Sequence, residues 1–395
     1  MYLTEKHIIT KSHKFFLECD TLCFKSKNVY NQALYNVRQF YFDNKKYLNY
    51  ETNYHVTKEQ ECYLYLPTKV FCQTLKMVDK NFKSFFALLK NKDVKNKIPK
   101  YLDKENGRYL TVFPKQAIGL KEFKKSGLIH LSKTEIRIKT NIKDFSIIKE
   151  VRIAPKNGFY VLEIVYEKQC NEAKNGDLCA SIDLGLNNLA TITYSNGLTP
   201  NKINGRPLKS MNQYYNKKKA HLQSVLKGNK KTSKQIQSLN NKRNNKINDY
   251  LHKSSRLLVN QLVSQGVSTL VIGKNLNMKQ DINIGRVNNQ NFTNIPIFTF
   301  ADMIKYKCEL EGINVIYHEE SYTSKCSFLD CEEICKHEVY VGRRVKRGLF
   351  RSSNGTFINA DVNGSYNIMK KAIPNAFANG IEGVGVHPLD LSIEE

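Results

Sequence analysis

Residues 178–194 read LCASIDLGLNNLATITY, and this stretch decides how the second half of the chain is organised. The apolar run LCASI ends in a carboxylate at Asp183, a tight GLNN occupies residues 185–188, and LATITY forms a second run before Asn196 and Gly197. Two such runs around a glycine turn predict a hairpin with an acid on its first strand. Taken alone, Asp183 is an ordinary turn residue before Gly185. It gains meaning only alongside other acids at the ends of buried elements.

Downstream, the chain turns polar, basic and helical from about Gln213 to Gln265, with a break at Gly228 and Asn229, which predicts a helical hairpin. A strand STLVI precedes Gly273, a helix spans Phe298 to Leu310, and a strand INVIY precedes His318. Asp361 then opens the helical stretch DVNGSYNIMKKA, where the helix dipole favours an acid. Carboxylates from separate elements can converge on one sheet edge and hold divalent cations, which prefer oxygen ligands.

Upstream, Asn28–Phe42 places Tyr30, Ala33, Leu34, Val37 and Phe40 or Tyr41 at helical spacing. A second periodic stretch, Lys69–Leu89, follows Pro67 and carries Val70, Leu75, Val78, Phe82, Phe85, Phe86 and Leu89. After Asn96 come short alternating runs: RYLTVF, GLIHL, EIRIKT, and then EVRIA and GFYVLEIVYE split by Pro155–Gly158. These predict a β-rich unit that would resemble a small barrel, with the helices beside it or inserted into it.

The 395 residues carry 62 Lys+Arg against 36 Asp+Glu, a formal charge of +26, so the leading partner is a polyanion such as nucleic acid. The start, MYLTEKHIITKSHKFF, has neither the apolar core of a secretory signal nor a membrane span, and a cytoplasmic protein with no membrane partner is expected. Ten scattered cysteines without a signal predict reduced, packed thiols. Phosphate-loop, nucleophile-elbow and HExxH patterns are absent from the sequence.

Three strings in order, SIDLGLNNLATI (181–192), EESYTSKCS (319–327) and NADVNGSYNI (359–368), resemble the catalytic motifs of the TnpB family of transposon-encoded, RNA-guided DNA nucleases, relatives of type V CRISPR effectors. YNQALYNVRQFYF (30–42) and LHKSSRLLV (251–259) also look like that family. The resemblance implies an α+β protein: a wedge β-barrel over 1–20 and 97–172, a helical recognition insertion over 21–96, and an RNase H-like, RuvC-like nuclease domain over 173–374. Within the last it implies a helical hairpin at about 208–266 and a zinc-finger-like loop at about 323–358, and residues 375–395 are expected to be a partly disordered tail. It implies a guide RNA made from the transposon end, a double-stranded DNA target beside a short adjacent motif, and two Mg2+ ions, with Asp183 and Asp361 as the first and third acids.

Two departures stand out. Many members close the strand that here reads TLVIGKNLN with the second acid, a Glu, but this chain has Gly273 and Lys274. Other relatives, Fanzor-like ones among them, place it before a TSK string, where this chain has Glu319 and Glu320. On an alternating strand the two would face opposite sides; Glu320 is assigned as catalytic and metal-binding, with Glu319 as the alternative. The second departure is that Cys326, Cys331 and Cys335, with His337 nearby, do not make the family's paired Cys-x-x-Cys site, so structural thiols rather than zinc are expected, with a Cys3His site as the alternative. Lys253, Arg256, Lys325, Arg343, Arg344, Arg347 and Arg351 are the candidate nucleic-acid contacts. Two rival readings accompany the nuclease: a nuclease-dead RNA-guided DNA-binding repressor, and a guide-free RNase H-like transposase or resolvase.

Overall fold

The computed structural model describes residues 1–90, 97–275, 285, 289–290, 293–378 and 380–392. The end of the expected helical insertion, residues 91–96, and Leu276 and Asn277 of the TLVIGKNLN string lie outside them, as does the extreme end of the tail. The chain forms two compact units, Met1–Lys168 and Gln169–Glu395. No helix among the described residues is long and apolar enough to cross a membrane.

The first unit opens with β1 (Tyr2–Ile9), followed by α1 (Phe16–Asn44), α2 (Tyr50–Lys58) and α3 (Thr68–Leu89). Both long helices follow the apolar spacing, with Tyr30, Ala33, Leu34 and Val37 of α1 and Val70, Leu75, Val78 and Phe82 of α3 buried. Leu89, expected on that face, is exposed because α3 ends there. Next come β2 (Thr111–Pro114), α4 (Leu120–Ser126), β3 (Leu128–His130), β4 (Arg137–Lys139), β5 (Ile148–Pro155) and β6 (Tyr160–Glu167). Strands β1, β6, β5 and β2 lie in that order in an antiparallel sheet, and β3–β4 form a separate two-stranded ribbon. Gly158, at φ 86°, turns the β5–β6 hairpin.

The second unit begins with β7 (Cys179–Asp183), β8 (Asn188–Tyr194) and β9 (Asn201–Asn204), an antiparallel meander. The helical hairpin follows as α5 (Arg206–Ser224) and α6 (Lys234–Ser264), with Gly228 at φ 64° between them and the Ser233 side chain capping α6. Then come β10 (Thr269–Gly273), α7 (Ile297–Leu310) and β11 (Asn314–His318). A short antiparallel sheet of β12 (Arg343–Lys346), β13 (Leu349–Arg351) and β14 (Phe357–Asn359) leads into α8 (Ala360–Ala372). The main sheet has the order β11-β10-β7-β8-β9-β15, with β10 parallel to both β7 and β11. Its last strand, β15 (Leu389–Asp390), pairs with β9, and Val386 accepts the Asn359 N–H at 2.9 Å.

Side-chain alternation gives this sheet two unlike faces. Ala180 and Ile182 of β7 join Leu270 and Ile272 of β10 in a core with α6 and α7. Ser181 and Asp183 fall on the opposite face, toward α8, with Thr193 beside Ser181 on β8. One face is oily; the other is hydroxylated and ends in an acid.

Candidate active site

Helix α8 crosses the hydroxylated face and is pinned there by Ser365. Its Oγ donates to the Ser181 carbonyl at 3.0 Å and lies 2.9 Å from Thr193 Oγ1, while Ser181 Oγ donates to the Ser365 carbonyl at 2.6 Å. These groups are buried, so each satisfied bond also averts a desolvation cost of about 1–3 kcal/mol. Close approach needs Gly364: a Cβ there would lie 2.9 Å from Asp183 Oδ2. The Asn359 side chain caps the helix by accepting from the N–H groups of Asp361 and Val362, which places Asp361 in the first turn. Asn188, at the end of the GLNN turn, donates to Asp361 Oδ2 at 2.7 Å.

The other face of α8 holds the segment that follows β11. Asn363 accepts the Phe328 N–H and donates to the Cys326 carbonyl, both at 2.9 Å. Asn367 donates to the carbonyls of Thr323 and Cys326 at 2.9 and 2.8 Å. Tyr366 stacks on Phe328 with ring centroids 4.6 Å apart. Thr323 in turn donates its hydroxyl to the Glu320 carbonyl at 2.8 Å, so the clamped loop fixes the backbone of Glu320.

The two neighbouring glutamates have different surroundings. Glu319 is exposed and accepts from Lys371 Nζ at 2.7 Å and from the Ser321 N–H at 2.8 Å; these partners hold its carboxyl below the usual range. Glu320 turns inward, and burial, then the charge of Glu319, pushes its carboxyl up. Its Oε2 lies only 2.6 Å from where a Cβ on Gly273 would stand, and Ile368 Cδ1 is equally close to that point. The space that a side chain at position 273 would enter is taken by the Glu320 carboxylate. Glu320 and the glycine at 273 therefore belong together sterically.

Asp183 is raised well above its ordinary value, first by burial and then by the charges of Asp361 and Glu320, with Arg344 opposing. Arg344 is 4.0 Å from Asp361 Oδ1. Asp183 thus feels the charges of both Asp361 and Glu320, while Lys371 holds the Glu319 carboxylate outward. Among the described residues, no three His, Cys, Asp or Glu side chains are already gathered closely enough to grip a metal ion. The acids nevertheless suit a hard divalent cation in kind: all donors are carboxylate oxygens, the charges of Asp361 and Glu320 disfavour ionisation of Asp183, and glycines 273 and 364 leave room around them.

In the cysteine loop, Cys326 is buried and reaches the Cys335 carbonyl at 3.6 Å, Cys335 Sγ lies 3.4 Å from His337 Nε2, and Cys331 is exposed. The loop is braced by Glu332, which accepts the N–H groups of Ser327 at 2.7 Å and Val341 at 3.0 Å.

Of the candidate nucleic-acid contacts, Arg344 and Arg347 line a cleft beside Asp361. The others sit elsewhere: Lys253 pairs with Asp249, Arg256 with Glu311, Lys325 lies over Tyr340, Arg351 over Phe357, and Arg343 is exposed on β12. Sequence reasoning missed Asn188, Asn363, Gly364, Ser365 and Asn367. All but Asn188 sit inside the NADVNGSYNI string, whose unusual density of Asn, Gly and Ser in a helix was the available signal.

Fold and site together define a mixed-sheet α+β domain with a carboxylate group at the carboxyl ends of its central strands. Residues 163–279 match the family OrfB_IS605, described as "Probable transposase", and residues 298–368 match the Cas12f1-like TNB domain. The chain is a relative of the TnpB and Cas12f proteins. It is 26% identical over 266 residues to a protein named CRISPR-associated endodeoxyribonuclease Cas12f2 from a Micrarchaeota archaeon, covering 64% of this chain and 47% of that protein. It is 27% identical over 182 residues to a TnpB-like protein of Methanocaldococcus jannaschii, covering 43% and 63% respectively. The matches therefore span about half the length of these curated relatives. Among solved structures, the mini-RNA-guided endonuclease CRISPR-Cas_phi3 has a similar fold, with a TM-score of 0.50 at 11% identity over 98% of this chain and 93% of that one.

Proposed function

We propose that the protein is an RNA-guided DNA endonuclease whose second unit is an RNase H-like, RuvC-like nuclease domain and whose first unit supplies the wedge and helical recognition region. The carrying observation is that the Glu320 carboxylate fills the space above Gly273 and that its charge, with that of Asp361, acts on Asp183. The sheet order supports the RNase H-like reading: an antiparallel meander continued by two parallel strands, with acids at the ends of the first strand and of the final helix's first turn.

Asp183, Glu320 and Asp361 would hold Mg2+, which would offset charge on the phosphodiester and on its attacking and leaving oxygens. The chain's own groups keep the site ready. Asn188 orients Asp361 through Oδ2, Gly364 admits the helix against Asp183, and the Asn363–Asn367 clamp keeps Glu320 turned inward. Arg344 provides positive charge beside Asp361, where a phosphate would lie. The guide, made from the transposon end, would read the target by base pairing while the protein reads backbone and a short adjacent motif.

The test is incubation of the purified ribonucleoprotein with target DNA and Mg2+. Cleavage that disappears in Asp183→Ala supports the reading. Tight, guide-dependent binding without cleavage by the unaltered protein would instead make it a repressor. Cleavage that survives RNase treatment would make it a guide-free transposase or resolvase.

A further inference from the structure

A cleft of about 420 Å3 opens beside Asp361, walled by the turn residues 185–188, Lys202 of β9, Arg206 at the start of α5, and Arg344, Arg347 and Gly348 around the β12–β13 turn. Its cations are unevenly partnered. Lys202 is 3.5 Å from Asp390, and Arg344 is 4.0 Å from Asp361. Arg206 and Arg347 are exposed, and among the described residues neither has a carboxylate partner. Behind them Lys209 donates to the Asn187 side chain at 2.7 Å; burial, then the charges of Arg347 and Arg206, pulls its ammonium down.

Three cations close together, none of them paired with an acid, are costly unless an anion joins them. The cleft opens on the acid to which a scissile phosphate would be drawn, and the turn links the two regions: Asn187 holds Lys209, and its neighbour Asn188 holds Asp361. We propose that this cleft seats a second phosphodiester of the strand being cut, one or two linkages from the scissile one, held by Arg206 and Arg347 with Lys209 behind them. The proposal rests on the nuclease reading and adds residues from α5, an element outside the catalytic strings. Arginine suits the task because its planar fork can donate two hydrogen bonds to one phosphate. Arg206 and Arg347 are thus positioning residues: they fix the register of the strand over the acids.

The test scans single uncharged methylphosphonate linkages along the cleaved strand, comparing the unaltered ribonucleoprotein with Arg206→Gln/Arg347→Gln. One linkage near the cut should slow the unaltered enzyme about tenfold in kcat/KM, and the double variant should show no further loss there. The Arg206→Lys/Arg347→Lys variant, which keeps the charges, should recover part of the rate and of the interference. Interference that persists unchanged in the Gln variant overturns the seat. A second arm measures binding of a short single-stranded DNA in EDTA against salt. The Gln variant should lower the log–log salt slope by about 0.7 for each phosphate it no longer neutralises, and an unchanged slope overturns the seat as well. Absence of cleavage by the unaltered protein counts against the nuclease reading alone, and the salt slope then decides the seat.

Discussion

The two sides of α8 solve opposite problems. Toward the loop, Asn363, Tyr366 and the Nδ2 of Asn367 meet partners, namely carbonyls, an N–H and an aromatic ring, while the buried Asn367 Oδ1 has none among the described residues. Toward the sheet end, Asp361 and Glu320 bring charges that disfavour ionisation of the buried Asp183. One side of a single helix stores stability, and the other carries electrostatic tension that a bound cation would relieve.

The largest expected effect breaks the tense side. Asp183→Asn should abolish cleavage, a loss of at least about 10^3-fold by analogy with removing a principal charge-stabilising group, as read in single-turnover assays. It should also raise the melting temperature in EDTA. The folded-state pKa of Asp183 is raised, so folding favours its protonated form, and the penalty for ionising it grows as pH rises through the window above the ordinary Asp value. Adding Mg2+ should stabilise the unaltered protein more than the variant and narrow the gap. A variant that melts lower in EDTA would contradict the tension.

Nearly as large is the effect of one added carbon. Gly273→Ala must displace the Glu320 carboxylate or Ile368 and should cost most of the activity. The double change Gly273→Glu/Glu320→Gly, which returns the acid to β10, should cleave better than Gly273→Glu alone. Failure of the exchange would separate the glycine from the acid.

Much of this was legible in the sequence. The strand–turn–strand at 178–194 and the helix opening near Asp361 follow from alternation and capping, and the helical break at Gly228 follows from composition. What separates Glu319 from Glu320 was not legible from strand alternation, because β11 ends at His318 and both glutamates lie beyond it. Their orientations are set by partners distant in sequence: Lys371 holds Glu319 outward, while the Asn clamp and the open space above Gly273 draw Glu320 inward. The barrel expected from the alternating runs of the first unit takes the form, among the described residues, of a four-stranded sheet and a separate ribbon, because strand spacing does not specify which edges pair.

Smaller effects probe the stable side. Asn367→Ala leaves the Thr323 carbonyl without that donor and should cost about 1–3 kcal/mol of stability, measured by denaturant unfolding, with a partial loss of cleavage as Glu320 loosens. Smaller still is a pH effect remote from the acids. Lys307 donates to the His252 carbonyl at 2.8 Å and to Ser255 Oγ at 2.6 Å, and burial, then the charge of Arg256, pulls its ammonium down to about 8 from 10.5. Between those values the unfolded chain holds more protons than the folded one, so stability should rise with pH across that window. Lys307→Met should flatten the rise.

The most direct test of the relocated acid is cleavage by Glu320→Gln beside Glu319→Gln, each as the full ribonucleoprotein with Mg2+ and with target binding measured in parallel. Glu320→Gln should bind target normally yet cut at least about 10^2-fold more slowly, while Glu319→Gln, which loses only an exposed pairing with Lys371, should stay within a few-fold of the unaltered protein. A Glu320→Gln protein that cuts as fast as the unaltered one contradicts the account.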